Sequence, residues 1–286
     1  MIQTIIVPLD GSGSSERALG VAASLSKRSG ASVILFTDNE PGVPIDVDAY
    51  MDLAATRFGI TAEHRSSRSH DVGGSLAAIA ANHCDSLIVM GSRGPTGFDE
   101  VIIGSVTAAT LHATDAPVLL LGPHLADLSE NDVFYENIIM CVDGSAESEA
   151  ILPAVQQLAQ AIDARVTIVQ VVDLEEVERA KGALREPLNE LVYVRRLAQT
   201  LIDQGVRVTY DVVHDARASD AILNFSRTQS SPIIAMATHG HTGLRRVAMG
   251  SVAMHVVRRA TCPVLVTRTA HDERSGVAMQ QPPETS

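Results

Sequence analysis

With 286 residues, 45% of them hydrophobic and 20% charged, the chain is long enough for one large or two ordinary globular cores and too apolar to stay unfolded. A formal net charge of −12 argues against nonspecific binding to nucleic acid or to an anionic membrane surface. Apolar runs fall short of the roughly 18 residues a membrane span needs, and Asp10 interrupts the first, so neither a transmembrane helix nor a signal peptide is expected and the default location is the cytoplasm.

In chain order, Thr4–Leu9 is a β-branched apolar run and predicts a strand, followed by Ser and Glu residues that start helices. The first helix is expected from Ser14 to about Ser29, ending at Gly30. Further strands are predicted at Ser32–Thr37, near Thr61–Arg65, at Ser86–Met90 and at Val118–Leu121, the last with Pro117 where no ladder donor is lost. Nearly continuous apolar strands alternating with helices indicate a parallel sheet covered on both faces, a doubly wound α/β unit of about 120 residues. Gly122–Asn137 reads as a linker, giving a first domain over 1–122, a linker over 123–137 and a second domain over 138–268. The polar tail, 269–286, is expected to be disordered.

The second domain repeats the first. Residues 90–121 lie over 236–267 without a gap, with 11 identities in 32 positions. The starts match at a different offset, so Asp10-Gly11-Ser12 corresponds to Asp143-Gly144-Ser145. The offset grows from 133 to 146 because the second copy has a longer, charged, helix-prone middle from Glu175 to about Gln199. Charge is uneven: residues 1–137 hold 7 basic and 17 acidic side chains, residues 138–286 hold 15 and 17.

After its fourth strand the first copy reads Gly91-Ser92-Arg93-Gly94, nine residues, then Gly104-Ser105; the second reads Ala237-Thr238-His239-Gly240, nine residues, then Gly250-Ser251. A turn leaving the C-terminal edge of a parallel strand faces the crevice where such sheets bind ligands. Glycines there permit positive φ and close approach of N–H groups to an anion, and a helix opening at the Gly-Ser pair favours phosphate. The Ser105 hydroxyl is expected to cap that helix, Val106–Ala113, or to meet a phosphate oxygen.

On these residues the chain resembles the universal stress protein family in its tandem-domain form, over nearly all of its length up to about Arg268. The resemblance implies five-stranded parallel sheets of order 3-2-1-4-5, adenine nucleotide alpha hydrolase-like, binding ATP, with Mg2+ as a possible companion, at their C-terminal edges. Carried over, Pro8, Asp10, Gly91, Arg93, Gly94, Gly97, Gly104, Ser105 and Val106 would form the first site. Asp143, Val171, Ala237, His239, Gly240, Gly243, Gly250, Ser251 and Val252 would form the second, with Val171 offering backbone to adenine. It also implies an intramolecular pseudo-dimer through Val118–Leu121 and Val264–Thr267, with homodimerisation as a further expectation, and a role as an ATP-dependent stress sensor.

The copies depart from each other. Ala237 replaces the first loop glycine, Asp38 falls where Val171 falls, and Asp99-Glu100 stands where Arg245-Arg246 stands, so two sites of unequal affinity are expected. His239-Gly240-His241 is similar to the HxGH signature of nucleotidyltransferases but follows the wrong strand, and no P-loop or GxGxxG pattern is present. No catalytic residue and no metal ligand set is named. Slow ATP hydrolysis, nucleotidyl transfer and a nucleotide-independent interaction module are the competing readings. Asp71 and Asp215 read as turn or cap residues, Met249 and Met254 as core, and Cys84, Cys141 and Cys262 as small buried apolar residues.

Overall fold

Ten strands hydrogen-bond into one sheet in the computed structural model, which describes residues 1–38, 46–92, 103–125, 134–172, 188–238 and 249–268. The first half contributes β1 (Thr4–Pro8), α1 (Gly13–Ser29), β2 (Ser32–Asp38), α2 (Val47–Arg57), β3 (Ala62–Ser67), α3 (Val72–Ala81), β4 (Ser86–Gly91), α4 (Ser105–Ala113) and β5 (Val118–Leu121). The second contributes β6 (Asn137–Val142), α5 (Ala146–Glu149), α6 (Leu152–Ile162), β7 (Arg165–Val172), α7 (Leu188–Ile202), β8 (Val208–His214), α8 (Ala218–Arg227), β9 (Pro232–Ala237), α9 (Ser251–Arg259) and β10 (Val264–Thr267). The order is β3-β2-β1-β4-β5-β10-β9-β6-β7-β8, so each half has its strands in the order 3-2-1-4-5.

Within each half all pairs are parallel, and their central strands are buried on both faces, which is why they read as unbroken apolar runs. One hydrophobic cluster lies on the face of α1, α2, α6 and α7, the other on the face of α3, α4, α8 and α9. Both clusters draw residues from both halves.

The halves meet where β5 and β10 pair antiparallel, Val118 opposite Val266 and Leu120 opposite Val264. The two five-stranded sheets expected from sequence are therefore one sheet, with each strand-five edge covered by the other. An antiparallel join between parallel halves also points their C-terminal edges in opposite directions. Beyond each strand five the chain runs against the other half's last helix. At Gly122 an added Cβ would stand 2.4 Å from the Val257 carbonyl oxygen, so only glycine fits without displacement. Arg268 instead reaches across, its guanidinium donating to the His112 carbonyl at 2.7 Å.

Several boundaries differ from expectation. The third strand runs to Ser67, later than predicted, because its exposed alternation of Ala62-Glu63-His64-Arg65 carries little apolar signal at a sheet edge. Asn137, placed in the linker, is the first residue of β6, paired with Arg165 and Pro232. Cys84 is exposed, unlike Cys141 and Cys262, because it sits in the turn between α3 and β4, next to Asp85 with its φ of 63°. Met249 is buried, and Met254 packs against the same core. The stretch 173–187 and the tail 269–286 lie outside the described residues.

Candidate functional site

The β1–α1 and β6–α5 turns share one backbone plan and differ in the cap hydroxyl, which Ser12 donates to Ser15 and Ser145 to Asp143. Asp10 accepts the Ser12 N–H at 2.9 Å and Asp143 accepts the Ser145 N–H at 3.0 Å, the local bond that favours Asp before a turn. Gly11 and Gly144 take φ of 75° and 89°, a conformation only glycine adopts cheaply. Ser12 and Ser145 then cap their helices, accepting from the Ser15 and Ser148 amides at 3.2 and 3.0 Å. Burial works to raise the Asp10 pKa, but hydrogen bonds from Ser12 and Ser15 outweigh it and hold the carboxyl below its ordinary value.

The loop after the fourth strand is closed at its base in both halves. The Gly104 N–H donates to the Ser92 carbonyl at 2.9 Å, and the Gly250 N–H to the Thr238 carbonyl at 2.6 Å. Gly104 and Gly250 are the N-caps of α4 and α9, with φ of −55° and −66° and no side-chain cap. Two expectations are corrected here. The glycine at this position is not held by positive φ, and the cap is the glycine, while Ser105 and Ser251 are first helical residues. With no side chain over it, the helix start leaves its first amides open in the direction of the crevice; the first intrahelical bonds come from Ala108 and Met254.

In the second half these pieces surround a cavity of about 210 Å3. It brings together Asp143, Val171, Ala237, Gly250, Ser251 and Val252, six of the residues assigned to that site from sequence. Cys141, Val169, Ile222 and Met236 complete an apolar wall, and Ser148, Thr238, Ala218 and Ala253 also line it. Burial pushes the Cys141 thiol up, so it serves as wall and not as nucleophile. Ala237 lies within β9 without positive φ, so its methyl group causes no backbone strain.

The profile of the universal stress protein family matches residues 42–122 and 134–268. The chain belongs to the universal stress protein family. A universal stress protein from Methanocaldococcus jannaschii is 30% identical over 149 residues, covering 49% of this chain and 85% of the relative. A one-unit relative thus spans one half of this tandem chain. The crystal structure of a universal stress protein from Archaeoglobus fulgidus superposes with a TM-score of 0.62 at 18% identity, covering 94% of this chain and 97% of the other. A protein of unknown function from Pseudomonas aeruginosa PAO1 superposes with a TM-score of 0.64 at 15% identity, covering 94% and 93%. At such identities the two structures speak for the fold alone.

In the first half of this universal stress protein, Pro8 ends β1, Asp10 follows it, and Gly91 ends the neighbouring β4, with Gly104, Ser105 and Val106 at the start of α4. Thr107 ties these parts together by donating to the Gly91 carbonyl at 3.0 Å. Arg93, Gly94, Gly97, His239, Gly240 and Gly243, with Asp99, Glu100, Arg245 and Arg246, lie outside the described residues.

Two charged residues flank Ala218, which lines the cavity, and carried no site signal in sequence. Arg217 precedes Ala218 at the start of α8 and pairs with Asp220 at 3.5 Å, which also faces His255 at 3.6 Å. In the first half the equivalent of Arg217 is Asp71, which caps α3 by accepting the Gly74 N–H at 2.9 Å. Asp215 is a turn residue, accepting the Arg217 N–H at 3.0 Å. Among the described residues no group of three His, Cys, Asp or Glu side chains is placed to hold a metal ion, and no helix is long and apolar enough to cross a membrane.

Proposed function

We propose that this universal stress protein binds ATP, that the second half holds it more tightly, and that occupancy sets which partners the protein engages. The observation that carries the reading is the cavity at the C-terminal edge of the second half. Its apolar wall of Val169, Val171, Ile222 and Met236 suits a purine base, and the open start of α9 suits phosphates. Asp143, at the same rim, is a hydrogen-bond acceptor for a sugar hydroxyl. Mg2+ in this reading travels on the phosphates and lowers their charge against a chain of net charge −12.

Calorimetry with ATP on the wild type, Gly250→Val and Gly104→Val tests this. Both glycines have backbone angles that valine adopts, so the substitutions add no backbone strain while placing a branched side chain where a phosphate would approach. The expected result is one tight event, lost in Gly250→Val and kept in Gly104→Val. Loss only in Gly104→Val would reverse the assignment of the halves, and no heat with wild type would remove the nucleotide reading.

A further inference from the structure

Beside the pairing of Val118 with Val266, the two halves leave a second cavity, of about 530 Å3. It shares no lining residue with the cavity assigned to the nucleotide. The first half supplies the end of α3, the turn into β4 and the segment from α4 to β5; the second supplies α6 and the end of β10. Ala77, Ala80, Ala113, Ala116, Pro153 and Ala154 give it small apolar walls. Asp85 ties the halves together there, accepting from the Gln157 side-chain amide at 3.3 Å and facing the Met1 amino group at 3.4 Å.

Two opposite charges line this cavity without pairing. Asp115, between α4 and β5, and Arg268, just beyond β10, have no ion-pair partner among the described residues. Arg268 spends one donor on the His112 carbonyl, which leaves most of its guanidinium N–H groups for another acceptor. Thr267 adds a buried hydroxyl that closes no hydrogen bond among the described residues. Leu265 belongs to the hydrophobic cluster on the α6 face, so strand alternation puts the Thr267 side chain on that face too, the side of Pro153 and Ala154.

The duplication supplies a control within the chain. At the offset of 146, the counterparts of Asp115, Thr267 and Arg268 are Thr261, Leu121 and Gly122. Leu121 is packed in the core, and Gly122 lies against the Val257 carbonyl with no room for a Cβ. The join of β5 with β10 thus forms with neutral residues at one end, while the other end keeps an acid, a base and an unpaired hydroxyl around a void. An unpaired buried hydroxyl is destabilising, so packing alone does not account for that set.

We propose that this junction cavity binds a small zwitterion, an aliphatic amino acid whose carboxylate meets Arg268 and Thr267 and whose ammonium group meets Asp115. A simple anion would face Asp115 and a simple cation Arg268, whereas a ligand bearing both charges satisfies each. A guanidinium grips a carboxylate through paired N–H donors, and a carboxylate accepts readily from an ammonium group. The alanine and proline walls pack against the few carbons between the two ends. This site is independent of the nucleotide reading, and the result of an ATP titration does not bear on it.

Calorimetry on the full chain with glycine, β-alanine and 4-aminobutyrate, which differ in the separation of their two charges, tests the proposal. At least one of the three is expected to bind once per chain, with propionate and propylamine at least roughly tenfold weaker. Arg268→Gln and Asp115→Asn are each expected to weaken that binding about tenfold, the effect of one charge-assisted hydrogen bond. Thr267→Leu, which installs the residue of the other junction, is expected to weaken it while melting at the wild-type temperature or above. No saturable heat with any of the three overturns the proposal. So does propionate or propylamine binding as tightly as the amino acid, or an unchanged affinity in either charge variant.

Discussion

The two crevices share a backbone plan and differ in the side chains that fill it. Phe36, fully buried in β2, stands at the strand position that Val169 holds in β7, where Val169 lines the cavity. Asp38 stands where Val171 does, and its carboxylate accepts from Ser67 on the neighbouring β3. Thr107 stands where Ala253 does, and Asp71 where Arg217 does. Each change in the second half removes bulk or negative charge from the crevice. On the proposed nucleotide reading, a duplicated loop need not make a duplicated site, because base and phosphate would be received by walls that the loop does not supply.

The largest effect is expected from Val169→Phe, which gives the second half the first half's bulk. ATP affinity should drop by roughly a hundredfold, about 2.7 kcal/mol, with the free protein destabilised by less than about 3 kcal/mol by overpacking. Calorimetry and thermal melting together check this, and an unchanged affinity would mean that the nucleotide does not enter that cavity. The reciprocal change, Phe36→Val with Asp38→Val, is expected to add a weaker second binding event at a cost of about 1–3 kcal/mol in stability. A stoichiometry that stays at one would show that charge or the loop after β4, not these walls, keeps the first half from binding.

The smallest effect concerns Asp10. Its folded carboxyl has a lowered pKa, so it contributes stability above its unfolded pKa and loses it as pH falls through the folded one. Asp10→Asn should lower the melting temperature slightly at neutral pH, and the difference from wild type should vanish in acid. The side chain is largely exposed, so solvent screening keeps the effect small. A gap that persists in acid would mean that the turn depends on Asp10 through geometry and not charge.

Much of this was legible in the residues. The parallel order, the helix end at Gly30 and the cap at Asp71 follow from apolar runs and local hydrogen-bonding chemistry, whereas the first helix starts at Gly13 behind a Ser12 cap, one residue before its expected start. The Gly-Ser pairs are legible as helix starts, but the cap is the glycine and not the serine, because this depends on the one residue at which the helical angles begin. The third strand was misplaced at its end because an exposed edge needs no apolar pattern. Residue type alone predicts a buried Cys84, but burial depends on where a turn falls, and Cys84 is exposed.

By itself the sequence determined the duplication, the strand and helix order of each half, and the two turns that mark the crevices. Those are properties of neighbours along the chain, where periodicity, capping and turn chemistry act. Tertiary structure alone decided that β5 and β10 join antiparallel, so the crevices open at opposite edges of one sheet. It also decided that Val169, Ile222 and Met236, far apart along the chain, line one cavity. Such features depend on where side chains distant along the chain arrive in space, which only packing decides.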